Sequence, residues 1–247
     1  MAGSKRVALV TGGSRGIGRE IALSLGRSVA HVAFAYRTNK VAAQRVEAML
    51  KSHGADVLAL QSDVTDPVRV QELIGAVLNQ WGRLDIVVNN VGDFQWKQVV
   101  DSRLDEWHAI VASNLFSVFY TSKYALPAMR SARWGRIINL GAVGAERAFG
   151  QAKISAYAAA KSAMVAFSRS LALEEARYGI TVNVVNPPIM DENALSLEEA
   201  ERIRDARFPA GRPPSGEDIT AAVKFFASDE ASFITGQVLN VAGGWML

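Results

Sequence analysis

The sequence predicts a single α/β domain, in which helices cover both faces of a doubly wound parallel sheet. Short runs that are apolar throughout, such as 6–10 and 180–186, alternate with longer helical patterns. Strands that are apolar on both faces are typical of parallel sheets between two helical layers, and right-handed crossovers wind such a sheet in both directions. No linker, composition shift or internal repeat divides the 247 residues, so we expect one domain over 1–247.

The elements follow one another in a regular alternation along the chain. Short apolar runs predict strands at 6–10, 31–36, 56–61, 84–90, 136–140, 180–186 and near 237–244. The patterns between them predict helices over 16–30, 66–81, 102–130, 154–178 and 216–228. A further helix is predicted after the strand at 31–36, ending at about residue 53. Because parallel strands need a long crossover, usually a helix, this alternation is what a parallel sheet requires.

One polar segment interrupts the alternation. Residues 188–215 are charged, are flanked by prolines and follow the carboxyl end of the strand at 180–186. Sheets of this kind bind ligands beside the carboxyl ends of their strands, so we expect the segment to be a lid over a substrate site. The alternative is a solvated connection between two core elements.

Composition and charge exclude several classes of protein. The chain has no cysteine, which excludes disulfides and thiolate metal sites and favours a reducing, cytoplasmic compartment. The three histidines are scattered, so no metal site is expected. No signal peptide is evident and no run reaches the roughly 18 apolar residues of a membrane-spanning helix. The 27 basic and 24 acidic residues give a net charge of +3, too balanced to indicate nucleic-acid binding.

The glycine-rich stretch 10–18, "VTGGSRGIG", predicts a phosphate-binding loop. Gly12, Gly16 and Gly18 permit a tight turn and close approach of a ligand to the backbone, and the following helix presents free N–H groups to a phosphate. The pattern is informative here because it lies between a strand and a helix, as dinucleotide binding requires. A tight turn without a ligand is the alternative.

Two arginines indicate which dinucleotide is bound. An acidic residue at the end of the second strand would bind a ribose 2′-hydroxyl, but this chain has Tyr36 and Arg37 there, and Arg15 lies in the glycine loop. Guanidinium groups beside the adenosine ribose suit a 2′-phosphate. We therefore expect NADP(H) rather than NAD(H), the alternative being that both arginines are merely solvated.

A tyrosine and a lysine predict the proton-transfer chemistry. The stretch "YAAAK" places Tyr157 and Lys161 at positions i and i+4, on one face of a helix. A tyrosine is a poor acid at its ordinary pKa of about 10, and a nearby ammonium lowers that pKa by stabilising the phenolate. Such a pair can protonate a carbonyl oxygen while hydride reaches the carbon.

Taken in order, these motifs resemble those of the short-chain dehydrogenase/reductases, which have a Rossmann-like fold. The resemblance covers essentially the whole chain, and within the family it is greatest to the β-ketoacyl-acyl-carrier-protein reductases. The matching stretches are "TGGSRGIG", "DV" at 63–64, "NNVG" at 89–92, "SNL" at 113–115, "YAAAK" and "TGQVLNVAGG".

The resemblance implies roles for further residues. Asn114 would hold a water that links Lys161 to solvent, completing a catalytic set with Tyr157. Asn89 would help to shape the cofactor floor, and Ile189 would meet the carboxamide of the nicotinamide. The cofactor-binding set that follows comprises Gly12, Ser14, Arg15, Gly16, Ile17, Gly18, Tyr36, Arg37, Asp63, Val64, Asn90, Val91, Gly92, Tyr157, Lys161, Pro187 and Ile189.

The pattern departs from the family at its catalytic serine. Alignment of "GRIIN" puts Ala142 at the serine position, and a different gap would put Val143 or Gly144 there. None of the three has a hydroxyl, and one oxyanion donor contributes about 3–4 kcal/mol to transition-state stabilisation in other enzymes. Candidates to replace it are Glu146, Arg147, a backbone N–H, a water or the substrate itself.

Other departures concern the nicotinamide end and the surface. Pro188 in "NPPIM" replaces a usual glycine and lacks an N–H, and Asp191, Glu192 and Asn193 stand where the family has a threonine. Phe94 and Trp96 follow the cofactor floor and either wall the substrate pocket or fill the core or an interface. Two basic residues, Arg133 and Arg177 beside Tyr178, either contact an acidic carrier protein or are ordinary solvated residues at a helix end.

The resemblance implies an NADPH-dependent carbonyl reductase and a cytoplasmic homotetramer. The candidate substrates that it implies are 3-oxoacyl thioesters bound to acyl carrier protein, as in fatty acid biosynthesis. Two alternatives stay open because the serine is absent. One is a pteridine-type or other C=N or C=C reductase. The other is a cofactor-binding protein with little catalysis, which the intact asparagine, tyrosine and lysine oppose.

Overall fold

A seven-stranded parallel sheet forms the centre of the computed structural model, which describes residues 4–190 and 194–246. The strand order is β3-β2-β1-β4-β5-β6-β7. The direction of winding therefore reverses between β1 and β4, and the crevice at such a reversal is where doubly wound sheets bind ligands. The strands are β1 (Ser4–Val10), β2 (Val29–Tyr36), β3 (Asp56–Gln61), β4 (Ile86–Asn89), β5 (Gly135–Leu140), β6 (Ile180–Asn186) and β7 (Val238–Asn240).

Helices connect the strands and cover both faces of the sheet. They are α1 (Gly16–Gly26), α2 (Lys40–Ser52), α3 (Pro67–Trp81), α4 (Leu104–Val111), α5 (Ser117–Ala132), α6 (Ser155–Glu175), α7 (Leu197–Glu201) and α8 (Gly216–Ala227). The predicted fold class is confirmed, and most of the predicted elements end within a few residues of the observed bounds.

The core has two layers because alternate residues of each strand face opposite sides. In β1, Ala8 and Val10 pack in the layer under α1, α2 and α8, whereas Val7 and Leu9 pack in the layer under α3, α5 and α6. Both layers are mainly apolar at the sheet, although β4, β5 and β6 also bury polar residues such as Asn89, Asn139 and Asn183. Burial on both faces is the physical reason why the strands read as predominantly apolar runs.

The prediction of one continuous helix over 102–130 was wrong, because the helix is interrupted. The structure divides it into α4, a π-helical turn over Ala112–Phe116, and α5. A π turn adds one residue to a helical turn, and such insertions often occur at functional sites. Asn114, one of the predicted catalytic residues, lies in this turn.

One further prediction needs correction. The helix expected over 16–30 ends at Gly26, because β2 already begins at Val29 to pair with β1. The segment 188–215 contains the short helix α7, whose start is capped by Ser196 and Glu199. Within the described residues, no helix is long and apolar enough to span a membrane.

Candidate active site

A groove of about 450 Å³ lies beside the carboxyl ends of β1 and β4, at the reversal of the sheet. Twelve of the predicted cofactor-binding residues line it, from the glycine loop to the end of β4. They are Gly12, Ser14, Arg15, Gly16, Ile17, Tyr36, Arg37, Asp63, Val64, Asn90, Val91 and Gly92.

The glycine loop has the backbone geometry that its sequence predicts. Gly12 and Gly16 have φ angles of 66° and 53°, which side chains other than hydrogen rarely allow. A side chain on Gly18 would overlap the carbonyl oxygen of Gly12, so Gly18 lets α1 pack tightly against the loop rather than line the groove. Asn90 Nδ2 braces the loop from β4 by donating to the Thr11 and Gly12 carbonyls, at 3.1 and 3.3 Å.

The start of α1 fits an anionic group. No side chain caps its first turn, and that turn has no acidic residue. The N–H groups at the start of the helix therefore face the groove with the positive end of the helix dipole. This arrangement suits the pyrophosphate of a dinucleotide.

The side chains at the end of β2 suit a second phosphate group. One acidic side chain close to them was not predicted from the sequence. Arg37 and Arg15 both line the groove. Arg37 lies 3.9 Å from the carboxylate of Asp93, which follows the cofactor floor on the opposite side. Asp93 was missed because an acidic side chain there fits no nucleotide-binding pattern. The other lining residues that were missed are Ala35, Thr38, Asn39, Ser62, Thr65 and Met190.

Lys161 is buried at the inner end of the site. Its ammonium donates to the carbonyl oxygen of Leu140, the last residue of β5, at 2.6 Å. Burial lowers the pKa of Lys161 to about 8, because the charged form is desolvated. Burial also raises the pKa of Tyr157 to about 12, which corrects the expectation that the neighbouring ammonium lowers it: desolvation of the phenolate is the larger effect. Lys161 Nζ is 5.7 Å from the centre of the Tyr157 ring, so the pair predicted from spacing is brought together.

Asn114 lies close to the same lysine, and the π turn is the reason. In an α-helix the Ile110 carbonyl would accept from the residue-114 N–H; here it accepts from Asn114 Nδ2 at 2.9 Å and from Ser113 Oγ at 3.3 Å. Asn114 Nδ2 also donates to the Asp93 carbonyl at 2.8 Å.

The other amide atom, Asn114 Oδ1, is buried and accepts no hydrogen bond from any residue that the structure describes. It lies against Gly92, where an added Cβ would overlap it and would approach Lys161 Nζ to 3.2 Å. Asn114 Oδ1 and the lysine ammonium therefore both lie on the side of Gly92 to which a Cβ would project. An unpaired buried acceptor beside an ammonium suits a bridging water.

The end of β5 has no hydroxyl group, as the sequence indicates. Gly141 donates its N–H to the Val185 carbonyl at 2.8 Å, and Ala142 and Val143 are buried. A side chain on Gly141 would collide with Asn186 Oδ1 and crowd Val184 Cγ1, so the present packing around this position favours glycine.

Glu146 is directed toward β6 and β7. Its two carboxylate oxygens accept from Asn186 Nδ2 at 3.0 Å and from Asn240 Nδ2 at 2.9 Å. The neighbouring Arg147 donates to the Met246 carbonyl at 2.6 Å. Both candidates for the missing oxyanion contact are thus engaged in joining this loop to the last strand and the C-terminal segment, which weakens the expectation that either replaces the serine.

The aromatic residues that follow Gly92 reach the predicted catalytic tyrosine. The Phe94 and Tyr157 rings contact each other edge to face, with centres 5.0 Å apart, and Trp96 lies 6.3 Å beyond Phe94. Ile189 is 72% exposed and Pro187 is half-buried, and neither lines the groove. Their roles stay predictions, and Asp191, Glu192 and Asn193 lie outside the described residues.

The surface residues expected at a carrier protein lie together. Arg133 donates to the Arg177 carbonyl at 2.8 Å, and the guanidinium of Arg177 stacks on the Tyr178 ring at 4.8 Å. Over the described residues, no group of three or more histidine, aspartate or glutamate side chains is placed to hold a metal ion.

The chain is similar to known proteins over nearly its whole length. A family model described as enoyl-(acyl carrier protein) reductase matches residues 12–246. The 3-oxoacyl-[acyl-carrier-protein] reductase FabG of Salmonella typhimurium is 42% identical over 97% of this chain and 96% of that protein. FabG of Escherichia coli is also 42% identical, over the same shares. The structure of acetoin dehydrogenase YohF from Salmonella typhimurium matches with a TM-score of 0.90 and 29% identity, covering 98% and 96% of the two chains.

Proposed function

Because the chain belongs to the short-chain dehydrogenase/reductase family, we propose that it reduces the 3-oxo group of acyl thioesters with NADPH. The chain is an oxidoreductase that acts on a hydroxyl/carbonyl pair. The observation that supports the proposal most is that Lys161 lies close both to the Tyr157 ring and, beside the groove-lining Gly92, to Asn114.

The groove residues fit NADP(H). The uncapped start of α1 holds the pyrophosphate, and Arg15 and Arg37 hold the 2′-phosphate beside Tyr36. Asp63 would lie at the adenine; its carboxylate accepts hydrogen bonds from Thr65 N and Oγ1 at 3.0 and 2.7 Å. When bound, NADPH supplies the hydride.

The chain's own residues move the proton. The Tyr157 hydroxyl donates its proton to the substrate oxygen, and its raised pKa keeps it protonated at neutral pH. Below its pKa of about 8, Lys161 is mostly an ammonium, which stabilises the phenolate as it forms. The Leu140 carbonyl holds the lysine in place, and Asn114 Oδ1 anchors the water that returns a proton from solvent.

A second candidate function is reduction of a C=C or C=N bond, as in a pteridine-type reductase. The absence of a hydroxyl at Gly141–Gly144 supports it, because one donor to the substrate oxygen is missing. The family model's own description, an enoyl reductase, agrees with this alternative. A cofactor-binding protein with little catalysis is disfavoured by the assembled tyrosine and lysine.

The partners that go with the proposal are an acyl carrier protein and further copies of the chain. The exposed Arg133 and Arg177 suit the acidic carrier. The exposed apolar residues Phe119 and Leu173, on α5 and α6, suit a homotetramer built on these helices. A protein without cysteine fits a reducing compartment, and we therefore propose the cytoplasm as its location. The proposal includes neither a nucleic acid nor a membrane as a partner.

One experiment separates these functions. The purified protein is mixed with NADPH and, in turn, with an acetoacetyl thioester, a crotonyl thioester, a pterin and simple ketones, while the absorbance of reduced nicotinamide is followed. Turnover of the acetoacetyl thioester supports the proposal, and turnover of the crotonyl thioester or pterin alone supports the second candidate. Tight NADPH binding without turnover of any of them would contradict both.

A further inference from the structure

We propose that Phe94 and Trp96 form an aromatic wall that selects substrates with a medium-length apolar chain next to the reacting carbonyl. This inference rests on the proposed reductase function and adds the substrate class and the residues that select it. The aromatic wall is defined here as the side chains of Phe94 and Trp96.

The first support is the position of the wall relative to the proton donor. Phe94 meets the Tyr157 ring at a centre distance of 5.0 Å and an angle of 80°. A substrate oxygen that accepts the tyrosine proton therefore places its carbon substituents next to Phe94. The further 6.3 Å from Phe94 to Trp96 is a distance that a chain of several methylene groups spans.

The second support is that the backbone holds Phe94 from both sides. On one side, the Asp93 N–H donates to Ser113 Oγ at 3.1 Å, and the Asp93 carbonyl accepts from Asn114 Nδ2 at 2.8 Å. On the other side, the Lys97 N–H donates to the Lys153 carbonyl at 2.7 Å. A loop anchored in this way presents its side chains in one position, as a selective site requires.

The Lys97 side chain adds a further anchor. Its ammonium donates to both carboxylate oxygens of Glu106 on α4, at 2.9 and 2.7 Å. The polar residues of the loop are thus used to hold it, and its aromatic residues are left at the site.

The third support is that these rings are not part of the core. Phe94 is 54% exposed and Trp96 is 53% exposed, and neither belongs to an apolar cluster of the described core. Large aromatic rings beside a proton donor, with no hydroxyl at Gly141–Gly144, make the substrate side of this site mainly apolar. Apolar contact with the aromatic wall then orients the substrate, as a hydrogen bond from a serine hydroxyl would otherwise do.

The test measures how the rate depends on chain length. Wild type, Phe94→Ala and Trp96→Ala are assayed with NADPH and a series of 3-oxoacyl thioesters of N-acetylcysteamine, from four to ten carbons. We expect wild-type kcat/KM to rise by about threefold to fourfold per methylene until the wall is covered. Both variants should lose most of this rise, so that their kcat/KM decreases about tenfold more for the longer chains than for the four-carbon substrate.

Val100→Ala is the matched control. Val100 lies on the same loop, is 85% exposed and is outside the ring contacts. This variant should keep the wild-type dependence on chain length. All variants should keep the wild-type Kd for NADPH and the wild-type native mass in size-exclusion chromatography.

Three results would overturn the inference. One is a wild-type kcat/KM that does not depend on chain length, and another is an equal loss at every length in Phe94→Ala. The third is a changed native mass in that variant, which would assign the rings to a contact between copies.

Measurements of thioester binding test the inference even if the protein does not catalyse the proposed reaction. If no thioester is reduced, calorimetric titration with octanoyl and acetyl thioesters in the presence of NADP⁺ replaces the rates. Tighter binding of the octanoyl compound to wild type, lost in Phe94→Ala, supports the wall without the reaction, and equal affinities contradict it.

Discussion

The buried ammonium of Lys161 gives the protein a measurable pH dependence. Its pKa is about 8 in the folded chain and 10.5 ordinarily. Between these values the unfolded chain binds more protons than the folded one, so the free energy of unfolding rises with pH across this window. The Lys161→Met variant has no titrating group there and lacks this contribution.

We therefore expect the stability of wild type, relative to Lys161→Met, to increase as pH rises from about 8 toward 10.5. Urea unfolding of both proteins without cofactor, at pH values on either side of 8, measures the difference. Tyr157 is present in both and serves as the internal control. A difference that stays constant, or that decreases with pH, would show that burial does not lower the pKa of this lysine.

Ala142→Ser tests which residue occupies the oxyanion position. Ala142 already has a Cβ in a buried place at the end of β5, so a hydroxyl adds a single oxygen. If that oxygen faces the substrate, kcat for carbonyl reduction should increase by about 10²-fold. Val143→Ser is the matched variant for the other alignment, and a rate that neither change raises would refute both.

Asp93 should weaken the binding of NADPH, because its carboxylate lies near Arg37 and partly neutralises it. An exposed pair of this kind contributes about 0.2–1 kcal/mol. We expect Asp93→Asn to bind NADPH about twofold to fivefold more tightly, with NADH binding unchanged. Fluorescence titration measures both, and Asp101→Asn, an exposed acidic residue outside the groove, controls for the change in net charge.

Among individual residues, the sequence predicted those that belong to recognisable local motifs and missed those that do not. The spacing of Tyr157 and Lys161 and the order of the glycines are local patterns, and local patterns can be read directly. The engagement of Glu146 with Asn186 and Asn240 depends on three segments that are distant in the chain. No local pattern reports such a contact.

Among the elements, the π turn between α4 and α5 has the most direct effect on the site. It turns Asn114 so that one amide atom satisfies two backbone carbonyls and the other faces Gly92 and Lys161. Helical periodicity predicted one continuous helix there, because a single inserted residue barely disturbs an apolar pattern of that length. The turn follows from packing, which the periodicity does not contain.

Asn114→Ala should therefore destabilise the fold as well as the site. It removes the amide donor to the carbonyls of Ile110 and Asp93, and an unsatisfied buried carbonyl costs about 1–3 kcal/mol. Thermal unfolding should show a clear decrease in Tm. Ser122→Ala on α5 is the control, because the Ser122 hydroxyl is buried without a partner among the described residues. An unchanged Tm in Asn114→Ala would contradict the bracing role.

For the whole molecule, the prediction of the fold succeeded because each strand is buried on both faces. The two core layers account for the apolar runs, and the helices between them follow from parallel pairing. The sequence could not define the contacts between distant ends of the chain. One such contact is that of the Arg6 guanidinium on β1 with the Trp134 ring, 3.9 Å from the ring centre.

The assembly of several copies is the prediction that belongs to this scale. We expect a native mass of about four times the 26.6 kDa chain in size-exclusion chromatography with light scattering. Phe119→Asp on α5 should reduce it, since a charge would be buried between helices of neighbouring copies. Val41→Asp on α2, another exposed apolar position, should leave the mass unchanged. A monomeric wild type would contradict the tetramer.

The glycine at the end of β5 also limits the order in which substitutions can accumulate in descendants of this protein. An added Cβ at Gly141 would overlap Asn186 Oδ1 and would lie 2.9 Å from Val184 Cγ1, so a side chain there requires a shift or a substitution at both neighbours. Ala142 has no such dependence, because its Cβ is already accommodated. A lineage that regained a hydroxyl here would therefore reach it at 142 in one step, while the amide network of Glu146, Asn186 and Asn240 stayed intact.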